Sequence, residues 1–196
     1  MNKSNVEIES RFIISKNVFK FFRDNYPMYE QNIVQCYAGN ARYRSINYHG
    51  ITHSTYFKTI KTAAKDNEID DRSLVVRNEY EHVIQKDEFE KVYKTSDNII
   101  HKLRYGVRID DNIFIEIDNF LNKYSGLYIL EVEFNSIEDK NSFIIRDLIP
   151  TELCNEIFEI GTYLSNRKLA ASETNTELIK LLNKINEERI QALIMK

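Results

Sequence analysis

Glu7-Ile8-Glu9-Ser10-Arg11-Phe12, near the start of the chain, and Leu130-Glu131-Val132-Glu133-Phe134, late in it, read the same way. Successive side chains on a strand point to opposite faces. Glu7, Glu9 and Arg11 therefore share one face of a first strand, and Glu131 and Glu133 share one face of another, with apolar residues behind them. Paired carboxylates at this spacing make a poor core and a good set of oxygen ligands for a divalent cation.

Between these two strands the pattern recurs. Arg42 and Arg44 flank Tyr43, Thr59 and Lys61 flank Ile60, and Arg77, Glu79 and Glu81 alternate with Asn78 and Tyr80. Lys102 and Arg104 flank Leu103, and Glu116 and Asp118 flank Ile117. Any one of these alone reads as an amphipathic strand whose charged face meets water. Solvent-facing positions, however, usually mix Thr, Ser, Lys and Gln, whereas here they are almost all carboxylates and cations. The seven strands together point to one shared face. It collects eight acids (Glu7, Glu9, Glu79, Glu81, Glu116, Asp118, Glu131 and Glu133) and seven bases (Arg11, Arg42, Arg44, Lys61, Arg77, Lys102 and Arg104). A nearly neutral charged interior suits a barrel whose lumen is a water-filled ligand site. Carboxylates supply ligands for Mg²⁺ or Mn²⁺, and Arg and Lys grip phosphate oxygens. So many of both fit a compact, highly charged anion bound with metal; a single phosphate would not need them.

Period-two segments predict strands over 6–14, 32–37, 41–48, 55–62, 74–84, 99–109, 113–120 and 128–135. Ser15 predicts the N-cap of a short helix stopped by Pro27, Asp87 that of a helix through Phe89, Val92 and Tyr93, and Ser136 with Asp139 a capping box opening a helix to about Leu148. The polar stretch 64–72 reads as an exposed loop, and 151–165 carries no clear period. From Thr174 onward, Leu178, Leu181, Leu182, Ile185 and Leu193 lie at helical spacing, giving an amphipathic helix that must pack on the domain or on a partner. The fold class expected is α+β but mainly β, an antiparallel barrel or sandwich with short flanking helices and that C-terminal helix.

Bulk properties exclude more than they assign. The 196 residues suit one domain with a terminal appendage. A balance of 27 basic against 30 acidic residues, net −3, gives no global bias toward nucleic acid or membrane. The 5 Gly and 2 Pro argue against a disordered chain. Cys36 and Cys154 lack metal-ligand spacing and read as thiols of a reducing cytoplasm. The 4 His are scattered without ligand spacing, and the 12 Tyr form no ordered stacking motif. With no signal-like N-terminus and no run of 18 apolar residues, a cytoplasmic protein without membrane contact is expected.

The ordered set of motifs resembles the CYTH superfamily, the triphosphate tunnel metalloenzymes, in its bacterial inorganic-triphosphatase and thiamine-triphosphatase-like branch. The family signature Glu-x-Glu-x-Lys is similar to Glu7-Ile8-Glu9-Ser10-Arg11. The resemblance continues through Gln35-Cys36-Tyr37, Arg42-Tyr43-Arg44, Thr59-Ile60-Lys61, Arg77-Asn78-Glu79-Tyr80-Glu81, Lys102-Leu103-Arg104-Tyr105, Glu116-Ile117-Asp118-Asn119-Phe120 and 126–134, and ends at Ser165-Asn166-Arg167-Lys168-Leu169-Ala170. It implies an eight-stranded antiparallel β-barrel tunnel over 1–170, charged face inward, with 171–196 as a helical appendage. It also implies hydrolysis of a small triphosphate (tripolyphosphate, a nucleoside triphosphate or thiamine triphosphate) with Mg²⁺ or Mn²⁺. Carried over by motif, Glu7, Glu9, Glu79, Glu81, Asp118, Glu131 and Glu133 would hold metal. Arg42, Arg44, Lys61, Arg77, Lys102 and Arg104 would grip phosphates, and Arg11, Tyr37 and Lys102 would take part in catalysis. Lys58, of the wrong parity, stays outside.

Two positions depart from the family. The signature Lys is Arg11, which is effectively never deprotonated and so cannot serve as a base. The acid usually placed before Arg-Tyr-x-Asn falls at Gly161-Thr162, with Glu159 the nearest carboxylate. Alternatives therefore stay open: a tunnel that sequesters a nucleotide or polyphosphate without turnover, an RNA 5'-triphosphatase acting on a triphosphate RNA end, and a class IV adenylyl cyclase. A homodimer through the last helix is open too.

Overall fold

The period-two segments become strands at the expected places. The computed structural model describes residues 5–63, 75–111, 113–160 and 164–171, with side chains over 8–60, 80–111, 113–160 and 164–171. The strands are β1 (Asn5–Ile14), β2 (Tyr29–Ala38), β3 (Ala41–Tyr48), β4 (Thr55–Ala63), β5 (Val75–Val83), β6 (Ile99–Arg108), β7 (Ile113–Phe120), β8 (Tyr128–Phe134) and β9 (Ile157–Glu159). They form one antiparallel sheet in the order β5-β4-β3-β2-β6-β7-β8-β1-β9. On one edge β1 pairs with β8; on the other it pairs with β9 at Phe12–Ile14 and with β5 at Asn5–Glu9.

Four α-helices accompany the sheet among the described residues, α1 (Lys16–Asn25), α2 (Lys86–Tyr93), α3 (Ile137–Ser142) and α4 (Asn166–Ala171), with short 3₁₀ turns at Asn122–Tyr124, Ile145–Leu148 and Thr151–Glu156. Ser15 caps α1, its hydroxyl accepting from Asn17 N and Val18 N. This helix buries Val18, Phe19 and Phe22 on the apolar face of the sheet, against Phe12, Ile14, Ile115, Ile117, Leu130 and Val132. Each large side chain buried there stabilises the fold by roughly 1.5–3 kcal/mol relative to exposure. Helix α2 covers Cys36 and Tyr43 on the same outer side through Phe89. Both cysteines are free thiols.

Several expectations change. The sheet has a ninth strand, β9, inside the segment that showed no period; its three residues are too few for alternation to show. The N-cap of α2 is Gln85, with Asp87 in the first turn, where a carboxylate still favours the helix dipole. Helix α3 is capped by Ser136 but stops at Ser142, far short of Leu148: Phe143 turns to extended backbone and packs edge-on against Phe134, 5.2 Å between ring centroids. Strand β2 starts at Tyr29, three residues earlier than its period suggests. The loop over 64–72 and the C-terminal helix from Thr174 lie outside the described residues. Among the described residues no helix is long and apolar enough to cross a membrane.

The opposite face of the sheet carries the charges, and its register aligns them. Gln35 stands opposite Arg44, Tyr37 opposite Arg42, Arg104 opposite Asp118, Glu116 opposite Glu131, and Arg11 opposite Glu131. At one end this face turns apolar. Ile13, Tyr37, Ile100, Phe120 and Ile129, from β1, β2, β6, β7 and β8, pack together with Ile160, Leu164, Leu169 and Ala170. Strands that are not sheet neighbours thus meet in one cluster, so the charged face is concave.

Candidate functional site

A network of ion pairs fills the middle of the concave face. Arg104 donates from Nε to Asp118 Oδ1 at 2.7 Å, from Nη2 to Asp118 Oδ2 and Glu131 Oε2 at 2.8 Å each, and from Nη1 to Glu116. Lys102 Nζ donates to Asp118 Oδ2 at 2.5 Å. Arg11 donates from Nε to Glu131 Oε1 at 2.8 Å, and its Nη1 reaches the carbonyl of Leu164. All of these groups except Glu116, which is partly buried, are almost fully removed from water. Three cations meet three carboxylates, the balance that buried charge requires.

Burial and neighbours divide the ionisation. For Arg104 burial works against the charge, but Asp118 and Glu116 more than offset it, holding the guanidinium above its ordinary range. Asp118 lies below the usual carboxylate range: burial opposes this, and Arg104 and then Lys102 outweigh it. For Lys102, burial and the adjacent Arg104 outweigh Asp118 and pull the ammonium down to about 8. For Arg11, Glu131 and Glu9 overcome burial and raise it.

Across the face two arginines stand side by side. Arg44 donates to Glu81, Arg42 Nη2 lies 3.4 Å from Thr59 Oγ1 and 3.9 Å from Glu81 Oε2, and Thr59 donates to Glu81 at 2.5 Å. Both guanidinium groups thus approach the Glu81 carboxylate. Burial and then Arg42 hold Arg44 below the usual arginine range, with Arg104 adding to the effect. Arg44 Nε is buried without a hydrogen-bond partner. That is an unspent donor beside a second guanidinium group.

The carboxylates crowd in turn beyond the network. Glu9 stands directly opposite Glu133 in the β1–β8 register. Partial withdrawal from water, then Glu116, with lesser help from Glu131 and Glu9, pushes Glu133 up to about 7. Burial likewise raises Glu116. Like charges directly opposite across strands are destabilising, and hard oxygen donors kept this close fit a divalent cation. Glu131 and Asp118 are engaged by arginine and lysine, and among the described residues no three potential ligands converge as a preformed cluster. The donor set therefore fits an ion held by one or two carboxylates and sharing its remaining positions with substrate, not a closed protein cage.

Tyr37 lies where the network meets the apolar end. Gln35 Nε2 donates to Tyr37 Oη at 2.9 Å, and the ring lies 4.9 Å from the Arg167 guanidinium. Burial pushes the Tyr37 hydroxyl up to about 12, against the fields of Arg42, Arg167, Arg44 and Arg11. Gln35 Oε1 is fully buried and has no partner.

Of the residues singled out in the sequence, Glu9, Arg11, Tyr37, Arg42, Arg44, Glu81, Lys102, Arg104, Asp118, Glu131 and Glu133 all lie on this one face. For Glu7, Lys61, Arg77 and Glu79 the backbone is placed, with Glu7 opposite Arg77 and Lys61 opposite Glu79, while their side chains lie outside the described residues. Lys58 points the other way, toward Glu88 and the Tyr43 ring, as its parity requires. Glu159 stands opposite Phe12, a residue of the outer core, so it belongs to the wrong face to replace the missing acid. Gly161 and Thr162 lie outside the described residues. Sequence reasoning assigned no role to Gln35, Thr59, Tyr29, Tyr48 or Phe114. Parity within the same strands was the available signal, hidden for Tyr29 by starting β2 too late.

No protein-family model matches the chain, and a sequence search of characterised proteins finds no match. Similarity to solved structures does appear. Two crystal structures of NE1496, one naming it an inorganic triphosphatase, superpose with a TM-score of 0.51 at 24% and 22% identity, covering 85% of this chain and 98% and 95% of theirs. The chain shares the fold of NE1496. A candidate adenylate cyclase from Bacillus halodurans, bh2851, shares it with a TM-score of 0.50 at 12% identity, over 77% of this chain and 95% of that one.

Proposed function

We propose that the chain is a divalent-metal-dependent hydrolase that cleaves the terminal phosphate of a small triphosphate-containing substrate. One observation carries the reading: Arg44, buried beside Arg42 with an unspent Nε donor, shares the concave face with a second patch where Glu9 and Glu116 both crowd Glu133. A cation-rich wall and a carboxylate-rich wall on one concave face suit an anion that arrives with metal. That NE1496, of the same fold, is an inorganic triphosphatase agrees with it. The β1–β5 pairing supports a further element of the proposal, that eight strands close into a tunnel over 1–170 with 171–196 appended. The free thiols favour a cytoplasmic location.

Glu9 and Glu133, with Glu7 carried over by resemblance, would hold the ion, Mg²⁺ or Mn²⁺. When bound, such an ion neutralises phosphate oxygens and acidifies water. Arg42 and Arg44, helped by Lys61 and Arg77, bind the phosphate chain, Arg44 Nε finding the acceptor it lacks. Arg104 and Lys102, fixed by Asp118, contribute charge without reorganising, the arrangement that best stabilises charge developing on a leaving group. Gln35 Oε1 is placed to accept from a water, and Tyr37 to donate onward. Arg11 orients Glu131 and takes no proton.

Phosphate release from tripolyphosphate, ATP, thiamine triphosphate and triphosphate-ended RNA, with Mg²⁺ or Mn²⁺, tests the proposal. Release is expected, and its loss in Glu9→Gln and Glu133→Gln while both variants stay folded. Tight binding of one of these with no release from any would replace hydrolysis by sequestration, the reading that Arg11 in the signature position favours. Cyclic AMP and pyrophosphate from ATP would indicate a cyclase.

A further inference from the structure

The open end of the concave face is lined by aromatic rings. Tyr29 belongs to the same alternating series as Gln31 and Gln35 on β2, Tyr48 to that of Arg42 and Arg44 on β3, and Phe114 to that of Glu116 and Asp118 on β7. Their register partners confirm the face: Tyr48 stands opposite Gln31, Tyr29 opposite Gly106, and Phe114 opposite Glu133. The Tyr29 ring lies 6.2 Å from Phe114, nearly parallel to it at 17°, and 6.4 Å from Tyr48. Gly106 makes this possible. A Cβ at that position would sit 2.2 Å from the Tyr29 ring, so the tyrosine lies across β6 where any side chain would exclude it.

These rings are not core. Tyr29 is 40% and Tyr48 46% exposed, whereas the residues deeper on the same face are nearly all buried. Burying them would be favourable, and both keep a large exposed area among the described residues. They also adjoin the charged layer directly: Gln31 stands opposite Tyr48 on one side and opposite Arg104 on the other. Ring and guanidinium are thus two strands apart, roughly 10 Å across the sheet. That distance suits a sugar or short alkyl linker between a phosphate chain and a ring.

We infer that Tyr29, Tyr48 and Phe114 form a stacking platform for a planar heteroaromatic group carried on the triphosphate, so that the preferred substrate is a triphosphate ester of a nucleoside or similar heteroaromatic alcohol and not bare tripolyphosphate. This rests on the triphosphate-binding reading above and names its substrate class. Stacking on aromatic rings tolerates any base, because every base offers a π-face. The platform therefore selects for a ring without selecting which one.

Calorimetric titration with Mg²⁺ and ATP, CTP, thiamine triphosphate or tripolyphosphate tests it, on wild type and on Tyr48→Leu and Tyr29→Leu. Wild type is expected to bind at least one heteroaromatic triphosphate about tenfold or more tightly than tripolyphosphate. Each Leu variant should lose about tenfold for that ligand and stay within about twofold for tripolyphosphate. Tyr29→Phe, which keeps the ring across Gly106, should retain wild-type affinity and guards against a folding defect in Tyr29→Leu. An ethenoadenine triphosphate probe should be quenched on binding to wild type and to Tyr29→Phe, and less so by the Leu variants. Comparison of the nucleotides with thiamine triphosphate identifies which heteroaromatic is preferred. Equal losses for all ligands, or tripolyphosphate binding as tightly as the esters, would overturn the platform while leaving the triphosphate reading intact. Binding of none of the four would remove both.

Discussion

At one end of the concave face Ile13, Ile100, Phe120 and Ile129 are sealed beneath Leu164 and Leu169, whereas at the other Tyr29 and Tyr48 stay open to solvent. Both ends belong to one face of one sheet, with β2 and β7 contributing to each through Tyr37 and Phe120 at the sealed end and Tyr29 and Phe114 at the open one. What differs is the covering element: the chain after β9 returns across one mouth, tied down by Arg11 to the Leu164 carbonyl and by Tyr124 Oη to that of Leu169, 2.5 Å away. Alternation along a strand thus chooses the face, and position along the strand chooses between core and ligand site. The charged layer between the two ends carries its own version of the contrast, a closed network around Arg104 against two adjacent guanidinium groups at Arg42 and Arg44.

That inner contrast predicts the largest effect. Arg104→Leu strands Asp118, Glu116 and Glu131 as buried charges and should cost about 3–5 kcal/mol in urea unfolding, the range for breaking a buried network from one side. Arg44→Leu should cost under about 1 kcal/mol, because it also removes the repulsion from Arg42. It should nonetheless abolish triphosphate binding. Equal costs would mean that the two groups of cations are built alike.

The two ends differ in the same measurement by less. Phe120→Ala empties the sealed end and should cost about 3–4 kcal/mol, as for other buried phenylalanines. Phe114→Ala, at the open end, should cost about 1 kcal/mol. Similar costs would show that the open end is core under another name.

How much of this contrast was legible in the sequence depends on the residue. Glu9, Arg44, Arg104, Asp118 and Glu131 were, because seven strands repeat charge at i and i+2 with apolar residues between, a pattern that one strand alone would leave as a water-facing surface. The eight long strands followed from the same alternation. Ion-pair partners did not, since Arg104 could have met substrate as readily as Asp118; register and curvature decide that. The aromatic mouth was illegible for another reason. Tyr29, Tyr48 and Phe114 sit on three strands far apart in sequence, and tyrosine alternates unremarkably on either face of a sheet. Strand β9 and the tie from Arg11 to Leu164 depend on tertiary contacts alone.

Arg11 gives a third and smaller test, because it joins the charged layer to the seal. Arg11→Lys keeps the charge beside Glu131 but loses the fork that also reaches Leu164. The loss of a charge-assisted hydrogen bond should cost about 1.5–2 kcal/mol. Amide exchange should speed up over 164–171 and stay unchanged around Tyr48. Uniform acceleration at both ends would mean that Arg11 supports the whole sheet and not the seal.

The smallest effect is a pH slope at the open end. Glu133 is raised to about 7 from an ordinary carboxylate value, by withdrawal from water and by Glu116, Glu131 and Glu9. Between the unfolded value, roughly 4.3, and about 7 the folded protein binds more protons at this site than the unfolded chain does. Stability must therefore fall as pH rises through that window. In chelator-treated protein Glu133→Gln should flatten the fall and leave stability below pH 4 unchanged, because both forms are then neutral. Saturating Mg²⁺ should flatten the wild-type slope as the substitution does, since a bound cation favours the ionised carboxylates. If Mg²⁺ leaves the slope untouched, the carboxylates at the open end do not hold the ion, and the metal assignment must move inward toward Glu116.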